Sequence, residues 1–104
     1  MAKFSKFYEM VWELTITIPK GKVTTYGEIA RKLGIKSARP VGQALKSNPH
    51  APAVPCHRVV KSNSFVGNYS RGISEKIKLL RSEGVPISEQ KKIENLIKYL
   101  FRFD

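Results

Sequence analysis

The sequence predicts a mostly α-helical domain in which two short helices form a helix-turn-helix pair and a short strand-and-loop segment carries the reactive side chains. Three observations lead there. Apolar residues recur at three and four positions through several segments, two helix-start signals flank a single glycine turn at Gly34, and prolines punctuate the stretch from Asn48 to Asn68. With 104 residues and 41% hydrophobic content, the chain suffices for one domain with one modest core.

In chain order, Phe4, Phe7, Tyr8, Val11 and Trp12 share one helix face, so a core helix is expected from Phe4 to Leu14. Ile16, Ile18, Pro19, Gly21 and Val23 then mark a short extended or turn segment. Thr25 and Glu28 have capping-box spacing, which starts a helix running through Ile29 and Ala30 to Leu33 and ending at Gly34. Ser37 is the expected cap of the next helix, with Pro40 in its first turn and Val41, Ala44 and Leu45 as its buried stripe. Two helices joined this tightly are a helix-turn-helix. Ala38, Gly42 and Ala44 make the second helix slim, which suits a close approach to a nucleic-acid backbone and equally suits close helix packing.

Pro49, Pro52, Pro55, Gly67 and the pair Val59-Val60 predict loop and short strand. Ser74 to Glu83 reads as a helix with Ile77, Leu79 and Leu80 apolar, closed by Gly84. A last amphipathic segment is expected from Ser88 to Phe101, with Ile93, Leu96, Ile97, Leu100 and Phe101 on one face. Residues 1–85 are expected to carry the activity, with 86–104 a helical extension packed on the same domain. There are no repeats, linkers or low-complexity tracts.

Nineteen Lys and Arg against eight Asp and Glu give a net charge of +11, a composition that favours a polyanionic partner. No apolar run is long enough for a signal peptide or a membrane span, so a soluble, cytoplasmic protein with no membrane partner is expected, nucleoid-associated if prokaryotic. One cysteine cannot close an internal disulfide, and with His50 and His57 it is too little for a structural zinc site. No metal and no cofactor is expected.

That cysteine, Cys56, lies in Pro55-Cys56-His57-Arg58. A solitary thiol is more often an inert buried side chain than a nucleophile. Here an imidazole and a guanidinium follow it directly, and nearby base or positive charge is what makes a thiol nucleophilic. On an extended segment adjacent side chains point to opposite faces, so His57 is expected to reach the sulfur only through a water.

Taken in order, Ile18-Pro19-Lys20-Gly21, Val23-Thr24-Thr25-Tyr26-Gly27-Glu28-Ile29-Ala30, Arg39-Pro40-Val41-Gly42, Asn48-Pro49, Pro55-Cys56-His57-Arg58-Val59-Val60, Gly67-Asn68-Tyr69 and Leu79-Leu80-Arg81-Ser82-Glu83-Gly84 form a longer pattern. From roughly Phe4 to Val85 the chain resembles the DNA-binding, active-site domain of O6-alkylguanine-DNA alkyltransferases. The resemblance implies a winged-helix-like helix-turn-helix fold and repair of DNA by direct reversal. The alkyl group passes irreversibly from O6-alkylguanine, with O4-alkylthymine a further substrate, to the cysteine, once per molecule.

Carried over by position, the resemblance makes Cys56 the acceptor, His57 its base through a water, and Glu83 the carboxylate that orients the imidazole. Asn48 organises the loop, and Tyr26 donates to guanine N3 as charge develops on the ring. Tyr26, Leu45, Val59, Tyr69 and Ser70 line the substrate pocket, with the carbonyls of Cys56 and Val59 reading the exocyclic amine and the Ser70 N–H facing O6. Arg39 is the finger that fills the stack when the nucleotide is flipped out. Thr25, Ala38, Gly42, Gln43, Lys46 and Arg58 accompany it in contacting DNA. The resemblance also places the second helix in the minor groove, only about 6 Å wide, and the expected partner is double-stranded DNA, with the chain expected to be a monomer.

Three features depart from the family pattern. Ser64 stands at a turn position usually held by glycine, so a positive φ is expected to be strained there or shifted to Asn63. The amino-terminal domain of longer members is expected to be absent. The segment from Ser88 to Phe101 is longer than the usual ending, and its apolar face is expected to cover what that domain would cover. Two other readings stand beside transfer. Alkyltransferase-like proteins bind lesions without transfer and typically lack this cysteine, so Cys56 discriminates. A winged-helix transcription factor needs base-reading polar side chains on the second helix, where Gly42 and Ala44 stand.

Overall fold

A computed structural model describes residues 6–50 and 53–103. The start of the first expected helix and Asp104 lie outside these residues. Helix α1 spans Lys6–Ile16, strand β1 Thr24–Thr25, α2 Tyr26–Leu33 and α3 Arg39–Lys46. After one 3₁₀ turn, Cys56–Arg58, come β2 (Val59–Val60), α4 (Ile73–Ser82) and α5 (Leu96–Tyr99). The fold is thus mostly helical, as the sequence predicts, and its short strand pairs with a second one in a two-stranded sheet. No helix among the described residues is long and apolar enough to cross a membrane.

Helix α2 forms where its caps dictate. The Thr25 hydroxyl accepts the Glu28 N–H at 3.0 Å, and Gly34 ends the helix at φ 74. The reciprocal half of the capping box is missing, because the Glu28 carboxylate is drawn to Arg31 and Arg102 instead. At α3, Ser37 Oγ accepts the Arg39 N–H at 3.2 Å, while Ala38 holds the cap position itself. Trp12 Nε1 donates to the Ala44 carbonyl at 2.8 Å and fastens α1 across α3. Val11, Trp12, Ile29, Val41, Ala44 and Leu45 close the core beneath the helix-turn-helix. Burying side chains of this size contributes about 1.5–3 kcal/mol each.

The sheet has only two strands, but its register places the chemistry. β1 and β2 are parallel, Thr24 facing Val59 and Thr25 facing Val60. In this register Tyr26, which follows β1, comes level with Lys61, which follows β2, while the turn that carries Cys56 leads into β2. A second core of Val23, Val60, Val66, Leu80, Val85, Ile87 and Ile93 lies on the other side.

Beyond Val85 the chain differs from the expected amphipathic helix. Only Leu96–Tyr99 is helical, and Ile97, expected on the buried face, is 85% exposed. Ile87 and Ile93 form an antiparallel bridge, with Lys91 and Asn95 at positive φ. The reason lies in backbone satisfaction. Val23 N–H donates to Tyr99 O (2.9 Å), Phe101 N–H to Val23 O (2.6 Å) and Val66 N–H to Lys91 O (3.0 Å), so the tail completes sheet edges that a helix would leave unpaired. Ile87 and Ile93 enter the second core, and Phe103 the first.

The positive φ expected near Ser64 falls on Ser64 itself, at 79°. A non-glycine residue held there costs about 1–2 kcal/mol. The turn persists because Ser64 N–H donates to Lys61 O (3.0 Å), Lys61 N–H to Phe65 O (2.9 Å), and the tail's Ile93 N–H to Ser64 O (2.8 Å).

Candidate active site

Asn48 follows α3 and is almost fully buried. Its Nδ2 donates to Val54 O at 3.0 Å and reaches Cys56 Sγ at 3.5 Å, while its Oδ1 accepts the His50 N–H at 2.9 Å. One side chain therefore ties the α3 exit to the cysteine.

Cys56 is 5% exposed and opens a single 3₁₀ turn, not the extended segment expected for it. At three residues per turn, successive side chains diverge by about 120°. His57 and Arg58 both meet Glu83, at the carboxyl end of α4. His57 Nε2 donates to Oε2 (3.1 Å), and Arg58 binds with two nitrogens, Nε to Oε1 (2.9 Å) and Nη2 to Oε2 (2.7 Å). The third Arg58 nitrogen donates to Ile18 O at 2.8 Å. Arg58 is thus committed inside the protein, a correction to its expected place among DNA-contacting residues.

The charges follow from these contacts. Burial alone would raise the Glu83 pKa, but hydrogen bonds from Arg58 and His57 outweigh it and hold the carboxyl below its usual range. For His57 burial wins over the attraction of Glu83, and the imidazole pKa is lowered. At neutral pH the ring is therefore neutral, its proton sits on Nε2 facing the carboxylate, and Nδ1 keeps a lone pair. Nδ1 is buried with no hydrogen-bond partner among the described residues.

Sequence reasoning missed Lys76. Its side chain is fully buried in α4, and Nζ donates to Val59 O (2.7 Å) and Asn68 O (3.0 Å) and reaches Tyr26 Oη at 3.4 Å. Burial pulls its pKa down to about 7; the Cys56 charge opposes this and Lys61 adds to it. The signal was present in the sequence. Lys76 lies three residues after Ile73 and four before Leu80, so a lysine interrupts the buried face of an amphipathic helix.

Tyr26 opens α2, and burial, reinforced by the Cys56 charge, pushes its pKa up to about 12. The phenol keeps its proton. Gly67, at φ 78, makes room for it: a Cβ there would lie 3.3 Å from the Tyr26 hydroxyl. Val59 O, expected to read the guanine amine, already accepts Lys76, and Cys56 O accepts the Val59 N–H. Each carbonyl retains a second lone pair.

Tyr26 and Cys56 stand in the wall of an open cleft of about 1020 Å³. Tyr26, Leu45, Tyr69 and Ser70 line it as expected for the pocket, and α3 contributes Ala38, Arg39, Gly42, Gln43 and Lys46. His57, Glu83, Asn48 and Val59 stand behind this lining, and Thr25 is occupied as the α2 cap. The slimness of α3 divides by residue. Ala44 is core packing, whereas a Cβ on Gly42 would meet nothing within 4 Å.

The family model described as "6-O-methylguanine DNA methyltransferase, DNA binding domain" matches residues 6–85. A methylated-DNA–protein-cysteine methyltransferase of Candida glabrata is 44% identical over 98 residues, covering 88% of this chain and 47% of that protein. The chain spans about half the length, or less, of the curated relatives it matches. Among solved structures, Mycobacterium tuberculosis OGT in complex with DNA aligns at TM-score 0.75 and 41% identity, covering 78% of this chain and 50% of that one. S. pombe Atl1, in complex with damaged DNA containing O6-carboxymethylguanine, aligns at TM-score 0.82 and 35% identity, over 98% of this chain and 100% of that one.

Proposed function

The chain belongs to the family of 6-O-methylguanine DNA methyltransferase DNA-binding domains, and from that premise we propose that it repairs DNA by moving an alkyl group from guanine O6 to Cys56. One observation carries the reading: a buried cysteine facing an open cleft, with a neutral imidazole beside it whose one nitrogen is fixed by Glu83 and whose other is an unused buried base.

In this reaction the Cys56 thiol proton passes to His57 Nδ1 through one water, and Glu83 stabilises the imidazolium that results. The thiolate attacks the alkyl carbon in line. The new S–C bond takes over as the C–O bond breaks, and the electron pair leaves with the guanine. Tyr26 donates its proton, or a strong hydrogen bond, to N3 of the departing ring. Lys76 fixes the direction of that donation, because an ammonium donating to Tyr26 Oη turns the phenolic proton away from itself and toward the cleft. Its charge also attracts the thiolate once it forms.

The target atom is inside the duplex stack, so the nucleotide must rotate out at a cost of a few kcal/mol. Helix α3 is suited to the minor groove: Gly42 opens its surface, and Arg39 is exposed at its first turn to enter the stack. The acceptor is a monomer working on double-stranded DNA. The product is a thioether that none of these groups can cleave, so each chain acts once.

A second reading, lesion binding without transfer, is favoured by the end-to-end match with S. pombe Atl1. Cys56 and its relay argue for transfer. Counting restored guanines decides between them: excess O6-methylguanine duplex should yield one guanine per chain and then stop. No guanine at all, with the lesion bound, would establish the second reading.

A further inference from the structure

Resting on the functional reading above, we propose that Lys61 is a phosphate clamp that holds the displaced nucleotide from the wall of the cleft opposite α3.

The cleft is electrically one-sided. Its lining includes Arg39, Lys46 and Lys61 and no Asp or Glu. Arg39 and Lys46 both come from α3, whereas Lys61 follows β2, so the cations flank the Cys56 opening from two different elements. No carboxylate among the described residues pairs with the Lys61 ammonium, and the side chain is exposed.

The root of this side chain is fixed. Lys61 N–H donates to Phe65 O and its carbonyl accepts the Ser64 N–H, closing a turn that the tail's Ile93 pins from outside. Its Cγ lies 3.5 Å from the point where a Gly67 Cβ would stand, and the Tyr26 hydroxyl lies 3.3 Å from the same point. The stem therefore starts near the phenol, and the exposed side chain forms part of the cleft lining.

An unpaired cation close enough to Lys76 to repel it disfavours the free protein, and an anionic partner relieves that cost. A flipped nucleotide brings such a partner, since the backbone phosphates on either side of it are drawn toward the opening as the base enters. Cations on α3 hold the duplex, and Lys61 takes a phosphate of the rotated residue. The resemblance to the family assigns nothing to this position.

The test uses the full chain with K61A, K61Q and K61R, read on O6-methylguanine duplex across a salt series and on free O6-benzylguanine. In K61A and K61Q the duplex-to-free-base rate ratio should fall about tenfold, and the slope of log affinity against log salt should shrink by about one ion. K61R should recover both, because a guanidinium also binds phosphate. An unchanged salt slope in K61A would overturn the proposal. Equal slowing on duplex and free base would also overturn it and place Lys61 in the Tyr26–Lys76 electrostatics. Should the native chain transfer from neither substrate, the functional reading falls, and the salt slope still decides the phosphate contact.

Discussion

The Cys56–Glu83 interior and the outward face of α3 are built on opposite terms. In the interior, Asn48, Arg58, Glu83 and Lys76 all find partners inside the chain, leaving His57 Nδ1 as the unused base. On α3, Arg39, Gln43 and Lys46 are exposed, Arg39 and Lys46 carry no ion pair among the described residues, and Gly42 borders open space. The interior is organised before any partner arrives, as a reaction that must start at the moment of contact requires. On the proposed function, the α3 face is completed only by bound DNA. Chemistry and binding should therefore be separable by mutation.

The sharpest separation is Cys56→Ala. Transfer should vanish, while affinity for O6-methylguanine duplex stays within about tenfold, roughly 1.4 kcal/mol, because the contacts that hold DNA lie elsewhere. Fluorescence of Trp12, the only tryptophan, bonded as it is to α3, can report the binding. Complete loss of binding in a folded variant would make Cys56 an organiser of the surface and break the comparison.

Glu83→Gln attacks the interior alone. It removes the charge that fixes His57 and Arg58, so transfer should slow by about 10²–10⁴-fold, the usual contribution of a positioned base. Chemical denaturation should show a loss of about 3 kcal/mol, the scale for breaking a buried pair. The acid side adds a signature. Because the folded Glu83 pKa is depressed, its contribution is complete above the ordinary carboxylate value and is lost as pH falls through the lower folded value. The lowered His57 pKa means that protonation favours the unfolded chain, starting as pH drops below the ordinary imidazole value. Glu83→Gln should remove the first of these losses and flatten stability against pH. By the same lowered His57 pKa the native transfer rate should decline on the acid side, and it should decline again above neutral pH as Lys76, its pKa pulled down to about 7 by burial, loses the charge that acts on Tyr26 and the thiolate.

Lys76→Met should slow transfer about a hundredfold on duplex and free base alike, since Lys76 acts on Tyr26 and the thiolate and not on DNA. Two carbonyls, of Val59 and Asn68, lose their donor, so about 1–3 kcal/mol of stability should go with it. Slowing confined to the duplex would move Lys76 to the binding side of the comparison. The smallest effect is that of Arg39→Ala, for which the duplex-to-free-base rate ratio should fall about tenfold, because the free base needs no flipping. Equal slowing on both would assign Arg39 to the pocket.

The helix-turn-helix was legible because its signals are local: Thr25 caps within three residues, and Gly34 stops the helix by its own backbone freedom. Cys56, His57, Glu83, Asn48 and Tyr26 were legible through their ordered motifs. What escaped was set by distant partners. Arg58 reads as a surface cation until Glu83 and Ile18 are seen to bind each of its three nitrogens. The tail from Ser88 to Phe101 has helical apolar spacing, yet Val23 and Val66 recruit its backbone into sheet edges, and no periodicity count sees an unsatisfied N–H on another segment. Lys76 was hidden by its chemical type, because a lysine is assumed to face solvent until the stripe around it is noticed.

The central claim is that Cys56 accepts the alkyl group. Mixing the chain with a duplex containing one O6-methylguanine, then measuring intact mass and the masses of its peptides, tests it directly. The expected result is a gain of one methylene per chain, located on the peptide that holds Cys56 and absent in Cys56→Ala. An unmodified chain recovered from a saturated lesion complex, or a methyl group found on another residue, would contradict it.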